Sequence, residues 1–506
     1  MLKLTGFVLP DVGMMTIAAI VGKTDLDAVT LEDLDRVADY LEAFYQQPLG
    51  KYIAGSIAFT TNGGFTQPSW NSDKFKPKRT AYATLVLRGH RYPDLAALMA
   101  TIYEKPLRAD DTLVLRGQPD APSCAFTGAP AYLRVSRDML PMFTGRDIMN
   151  FSPAGESGIP VSDVILLALH ALPLGCIVTQ GALLAVQSDD PDLMMRLVRA
   201  NLEENYRFLH LAAEAGYEKF PNIASFKTRL IELLVATFST GEAHRERLER
   251  TSSLTAFHFS NYGSNARLSI YPLPSSTVQF VWAASKDEHA AVWRQIVARG
   301  RSEEKPESVE LASNAPKLTQ RNFIYEDLFD LPDTAHTFLR VYFLRYPLTR
   351  FKKDRRGEYN LFKETDLLSW GLTALFLKRI MNMQPNRIEQ IRSLGDRLAA
   401  HIQTRDDRQL LRALYFERQY WRFRGALLRA MYGYKGDEPL VTFDGYVEIF
   451  EAFEEGQGAE RADWNLARDL LLIRIFEQLH QQGYWTVVSE ALQSEDPDTV
   501  LRPVTD

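Results

Sequence analysis

Cysteine is nearly absent: Cys124 and Cys176 are the only two among 506 residues. That excludes a disulfide framework and fits a reducing compartment. The chain has no Walker A loop, no G-x-G-x-x-G after a strand and no H-E-x-x-H, so no nucleotide or zinc-protease motif is in view. The nine histidines are scattered. His244 falls in a charged helical run, while His170 and His258 read as core histidines rather than ligands. No dense Asp/Glu cluster points to a two-metal nuclease. No metal, cofactor or catalytic residue is expected. Residues 1–8 lack the cationic start and following apolar run of a signal peptide, so a cytoplasmic protein is expected. Long apolar runs are also scarce. The exception, 164–186, contains His170, Pro173, Gly175, Gln180 and Gly181, a set that a bilayer span tolerates poorly. It predicts a buried helix, a turn at 173–175 and a second buried segment.

What is present is an ordinary globular composition, 46% hydrophobic and 24% charged. The length exceeds a single hydrophobic core, so two or more domains are expected. The patterns predict an α+β protein. A mixed α/β N-terminal domain spans 1–360 and a C-terminal helical bundle spans 361–506, with the boundary in 352–365, where 352–357 form a charged, glycine-ended loop. Thr30 is a good N-cap for a helix over 31–45, whose apolar stripe is Leu34, Val37, Leu41 and Phe44. Alternation predicts strands over 53–60 and 81–87, and β structure returns over 254–284. Helices are predicted over 191–214, 223–250 and 286–300. In the C-terminal region they are predicted over 367–383, 387–404, 407–432, 442–454 and 463–492.

The net charge of -6 hides a reversal inside the C-terminal third. From 340 to 429, Lys and Arg outnumber Asp and Glu by about two to one; from 435 to 506, acids lead by about three to one. Arg405, Arg408, Arg412, Arg422 and Arg429 keep to one broad face of the predicted helical stretch. Leu410, Leu414, Trp421 and Leu428 follow another face, offset by about 200°. Guanidinium forks suit phosphate oxygens, and a row of them suits a nucleic-acid backbone without sequence readout. The same arginines would also serve as solvated charge or as partners for Asp407 and Glu417. A preceding basic cluster contains Arg340, Arg345, Arg350, Lys352, Lys353, Arg355 and Arg356.

A second candidate is the polar stretch 61–79. Asn62, Gly63, Gly64 and Gln67 are followed by Asn71, Lys74, Lys76, Lys78 and Arg79. Asn and Gln can read base edges, glycines admit close backbone approach, and lysines hold phosphates. A solvated, lysine-rich hairpin loop is the alternative.

Several segments in shared order resemble one family: the large subunit of type I-B CRISPR surveillance complexes (Cascade), the group named for its paired CXXC motifs. They are 6–23 with Thr30 to Leu34, the asparagine-containing loop at 59–68, and Leu169 to Gly175 (L-H-A-L-P-L-G). The central pair 256–263 and 270–275 and the approach to the C-terminal region, 321–328 and 338–345, complete the set. Where that family carries its first CXXC, this chain reads Cys124-Ala125-Phe126-Thr127; where the second should fall, it reads Pro160-Val161-Ser162-Asp163. A degenerate zinc-knuckle region over about 120–175 is therefore expected, without zinc. Thr127 and Asp163 are expected to hold its shape by hydrogen bonds.

The resemblance implies a non-catalytic subunit in a prokaryotic cytoplasm, within a complex of guide RNA, backbone and RNA-processing subunits. There the RNA reads the target, while the protein reads a short flanking duplex motif, the protospacer-adjacent motif, and holds the opened DNA. On that reading Asn62 to Arg79 is the candidate motif reader. Arg350, Lys352, Lys353, Arg355 and Arg356, with the stripe from Arg405 to Arg429, hold the displaced strand. It further implies a helicase–nuclease or transposition partner, and separate small-subunit copies of the C-terminal bundle from a start near Met381 or Met383. The acidic set Glu448, Glu451, Glu454 and Glu455 would repel phosphate and meet neighbouring subunits. Two rivals stand beside it: a helical protein-interaction scaffold without DNA contact, and a cryptic nuclease.

Overall fold

The computed structural model describes residues 2–59, 65, 72–104, 122–135, 139–140, 158–178, 181–220, 225–238, 253–261, 267–302, 320–347, 355–434, 439–450 and 463–493. It is an α+β structure with two small antiparallel sheets among the described residues. Two compact units are formed, one by Met1–Ser275 with Lys305–Thr319, the other by Ser276–Glu304 with Gln320–Asp506. The boundary expected at 360 thus falls inside the second unit. The reason is an aromatic core: Phe376 lies 5.3 Å from Phe280 and Phe343 and 5.4 Å from Phe338, while Phe280 lies 5.4 Å from Trp293. Residues on both sides of 360 share one core and cannot separate without exposing it.

In the first unit, the helix Leu31–Gln46 starts on a capping box formed by Thr30 and Asp33, and Leu34, Val37, Leu41 and Phe44 are buried as the stripe predicts. The helix Val8–Ile20 is buried along most of its length and packs on the helix Asp163–Ala171. Gly13 permits this crossing: a Cβ there would stand 2.1 Å from the Ala168 carbonyl oxygen. Helix propensity alone predicts that Gly13→Ala gains up to about 1 kcal/mol. Because the obstacle is backbone, packing reverses the sign. A net loss of about 2–3 kcal/mol is expected in chemical denaturation.

The apolar run behaves as predicted. Asp163–Ala171 is helical, Leu172–Gly175 makes a tight turn, and β3 (Ile177–Val178) and β4 (Leu183–Ser188) follow. Asn201 and Asn205, on the helix Pro191–Ala215, donate to the carbonyls of Gly175, Leu174 and Cys176 at 2.8–3.0 Å, satisfying buried turn acceptors. Among the described residues no helix is long and apolar enough to cross a membrane. The four-stranded sheet runs β3-β4-β5-β6, with β5 at Leu254–Ser260 and β6 at Arg267–Leu273; a two-stranded sheet pairs β1 (Leu133–Val135) with β2 (Ile159–Val161).

Three strand expectations are corrected. Residues 53–58 end the helix Pro48–Ile53 and form a short π turn, Ala54–Ala58. Residues 81–87 belong to the helix Lys76–Leu87, and β structure after 254 stops at Leu273, with the helix Ser275–Ala284 following. These short apolar segments are buried on nearly every side, a pattern that does not separate strand from helix.

The second unit is helical. Trp370–Arg379, Pro385–Arg405, Arg408–Phe416, Tyr420–Gly433, Phe443–Phe450, Asp463–Gln481 and Trp485–Gln493 follow in order. The single helix expected over 407–432 is two. Glu417 breaks it, its carboxylate accepting from the backbone N–H groups of Arg418 and Gln419 at 3.0 and 3.1 Å. The long helix expected over 463–492 likewise divides, at Gly483 with φ +72°.

Candidate nucleic-acid interface

The N-terminal candidate is partly visible. Asn62, Gly63, Gly64, Gln67 and Asn71 lie outside the described residues. Lys76, Lys78 and Arg79 belong to the first turn of the helix Lys76–Leu87, not to a loop, and Lys74 lies in the short turn Asp73–Phe75 before it. Lys74 and Lys76 are exposed. Lys78 pairs with Glu104 at 2.6 Å, and the ammonium groups of Lys74 and Lys78 lie 5.5 Å from the Phe75 ring. Arg79 is half-buried beside Glu42 and Phe65 in a cavity of about 100 Å³. Four cations at a helix start oppose the macrodipole, which favours anions there. Lys78 is offset by Glu104, and Lys74 and Lys76 remain exposed at this helix start.

The region expected to be a degenerate knuckle is held by backbone pairing between two segments. The two segments matching the CXXC positions lie side by side: Ala125 N–H donates to Pro160 O at 2.9 Å and Tyr132 N–H to Val161 O at 2.7 Å. Cys124 is buried. Burial pushes its thiol up, but the Thr127 hydroxyl and the backbone N–H groups of Phe126, Ser162 and Thr127 outweigh that and hold it below its ordinary value. The Thr127 hydroxyl accepts from Ala129 N–H at 3.3 Å within its own segment, and Asp163 accepts from Val164 N–H in its own helix. A structural zinc needs four nitrogen or sulfur ligands. The two segments offer one thiol with alanine, phenylalanine, threonine, proline, valine, serine and aspartate, so they do not fit the ion. His170 is a core histidine, donating from Nδ1 to Leu166 O at 2.8 Å, and burial lowers it to about 4. His258 is half-buried and stacks on Phe226 at 4.7 Å.

In the second unit much of the basic cluster is turned inward. Arg345 has no exposed side-chain surface and is bound to Glu364; Arg340 faces the buried Asp469 at 3.5 Å. Arg356 pairs with Asp327 at 2.8 Å and covers the Phe323 ring at 4.6 Å. Arg350, Lys352 and Lys353 lie outside the described residues, and Arg355 opens the short turn Arg355–Glu358.

The arginine stripe is spread over three helices rather than one. Arg405 is exposed at the C-terminal end of Pro385–Arg405, which stops where Asp406 adopts φ 49°. Arg408 starts the next helix and donates to Asp406 at 3.0 Å; Arg412 is half-buried and donates to Ala491 O at 3.2 Å. Asp407 caps that helix instead of neutralising the stripe. Arg422 and Arg429 are exposed on Tyr420–Gly433. Arg405, Arg422 and Arg429 have no carboxylate within ion-pair distance among the described residues.

The packed face of Tyr420–Gly433 is also corrected. Leu410 and Leu414 are buried, but Trp421 is 66% exposed and Leu428 45%. The buried residues are Phe423, Ala426, Leu427 and Ala430, spaced i, i+3, i+4, i+7 as one helix face requires. That register becomes legible only once the break at Glu417 is recognised. It also brings Arg424, missed at the level of sequence, to the exposed side.

Comparison with protein-family models, curated proteins and solved structures finds no match for this chain.

Proposed function

We propose that this chain is the non-catalytic large subunit of an RNA-guided CRISPR surveillance complex of type I-B. In this role its first unit engages the flanking motif of target duplex DNA and its helical second unit holds the opened strand. The observation that carries this reading is the helix Tyr420–Gly433. It contains no Asp or Glu and turns Arg422, Arg424 and Arg429 to solvent. A basic helix with no acid of its own fits a polyanion. Two further features support it. Lys74, Lys76, Lys78 and Arg79 gather at one helix start, as phosphate binding would use. The segments 124–127 and 160–163, which depart from that family in their missing thiols, are paired through Ala125 N–H and Pro160 O at 2.9 Å. A product started at Met381 or Met383 would carry the acid-free helix with it, since Pro385–Arg405 is the first helix after those methionines.

The test is the salt dependence of single-strand binding. Log affinity should fall with log salt by about 0.7 per phosphate neutralised. Joint replacement of Arg422 and Arg429 by Ala should make the slope shallower by about 1.4. Arg356→Ala and Arg345→Ala should leave it unchanged, because those guanidinium groups are committed to Asp327 and Glu364. An unaltered slope in the Arg422/Arg429 variant overturns the strand-holding assignment in favour of a protein scaffold.

A further inference from the structure

The exposed face of Tyr420–Gly433 carries more than charge. Trp421 is 66% exposed, Leu428 45%, Met431 36% and Tyr432 93%. At about 100° per residue, Trp421 and Tyr432 point within about 20° of each other, separated by about 16 Å along the axis. Gly425 and Leu428 fall between them on the same line. Arg422 and Arg429 border this line on one side and Arg424 on the other. The Arg422 guanidinium already lies 5.0 Å from the Trp421 ring centroid. The buried face, Phe423, Ala426, Leu427 and Ala430, is on the opposite side. Large apolar side chains in such a row are costly to leave in water and point to an occupant.

Which occupant is decided by charge and shape. From Arg418 to Tyr434 the chain has four arginines and no acid, so an anionic partner is favoured. The aromatic rings are exposed on one helix face; protein anchors generally enter pockets, whereas bases stack on projecting rings. We infer that this face is a base-stacking platform for single-stranded nucleic acid. Trp421 and Tyr432 each take one base, and Arg422 and Arg429 hold the intervening phosphates. This deepens, and rests on, the strand-holding assignment. It adds a non-ionic contribution that arginines alone do not supply, and it predicts tolerance of base sequence because every base has a π-face.

The experiment uses the full chain and a fluorescein-labelled 20-nucleotide oligo-dT, followed by anisotropy across a salt series. Trp421→Ala and Tyr432→Ala should each weaken binding on the order of tenfold, with the salt slope unchanged and the thermal midpoint kept, since both rings are exposed. Trp421→Phe should restore most of the loss. An abasic strand of equal length should bind the unaltered protein more weakly and the double Ala variant no differently from oligo-dT. If the Ala variants bind oligo-dT like the unaltered protein while Arg422→Ala and Arg429→Ala flatten the slope, the platform is overturned and the strand-holding assignment survives. If none of the four changes has an effect, both fall. If the aromatic variants instead lose a protein neighbour from the native complex while keeping DNA affinity, the face is a protein contact and the platform is overturned.

Discussion

Replacing Glu364 with Ala will destabilise the second unit by about 3–5 kcal/mol, the cost of stranding a buried charge. Arg345 has a fully buried side chain, and its Nε and Nη2 donate to one Glu364 oxygen at 3.1 and 2.9 Å. Arg299 binds the other oxygen. The Tyr359 ring covers Arg345 at 3.8 Å from its guanidinium carbon. Burial raises the Glu364 carboxyl, but Arg345 and Arg299 outweigh it and hold it below the ordinary carboxylate range. Deleting the carboxylate leaves Arg345 in the core with an aromatic face and one carbonyl, Tyr342 O at 3.5 Å, as its remaining neighbours. Chemical denaturation of the full chain should show the loss in one transition and spare that of the first unit. A loss under about 1 kcal/mol would mean the pair behaves like a surface ion pair.

Asp469→Asn is expected to cost a similar amount, about 3–5 kcal/mol, and to change the acid limb of stability. Asp469 is 1% exposed. It accepts from His336 Nε2 at 3.0 Å and from Arg468 Nη2 at 3.1 Å, with Arg340 at 3.5 Å. Burial pushes the carboxyl up; His336, Arg468 and Arg340 outweigh it and hold it at about 2. A carboxyl with a depressed folded value stabilises above its unfolded value near 4. That contribution disappears as pH falls from about 4 to about 2, amounting to about 2 kcal/mol. The unaltered protein should therefore lose this increment over that window, and the Asn variant should lack it. Parallel acid limbs in the two proteins would refute the assignment.

Both predictions concern arginines that the sequence offers as nucleic-acid contacts. Arg345 and Arg340 belong to the same basic cluster as Arg350 and Lys353, and nothing local distinguishes them. Their carboxylates come from elsewhere in the chain: Glu364 lies 19 residues from Arg345, and Arg340 faces Asp469 on the helix Asp463–Gln481. A charge count registers the arginines and cannot register which of them those acids reach. The exposed set that survives this sorting among the described residues, Arg405, Arg422 and Arg429, is smaller than the stripe and better defined.

Where a helix begins, and which stripe it buries, could be read from nearest neighbours. Thr30 with Asp33, Asp190 before Pro191 and the stripe from Leu34 to Phe44 are satisfied within a few residues, because caps and periodicity act over a single turn. The buried course of 163–188 was legible for the same reason. Segments enclosed on nearly every side, 54–58 and 81–87, were not, since burial erases the alternation that separates strand from helix. Nor was the outward turn of Trp421 and Tyr432. It depends on a helix break at Glu417 and on which face meets the bundle, and both are settled by packing between residues distant along the chain.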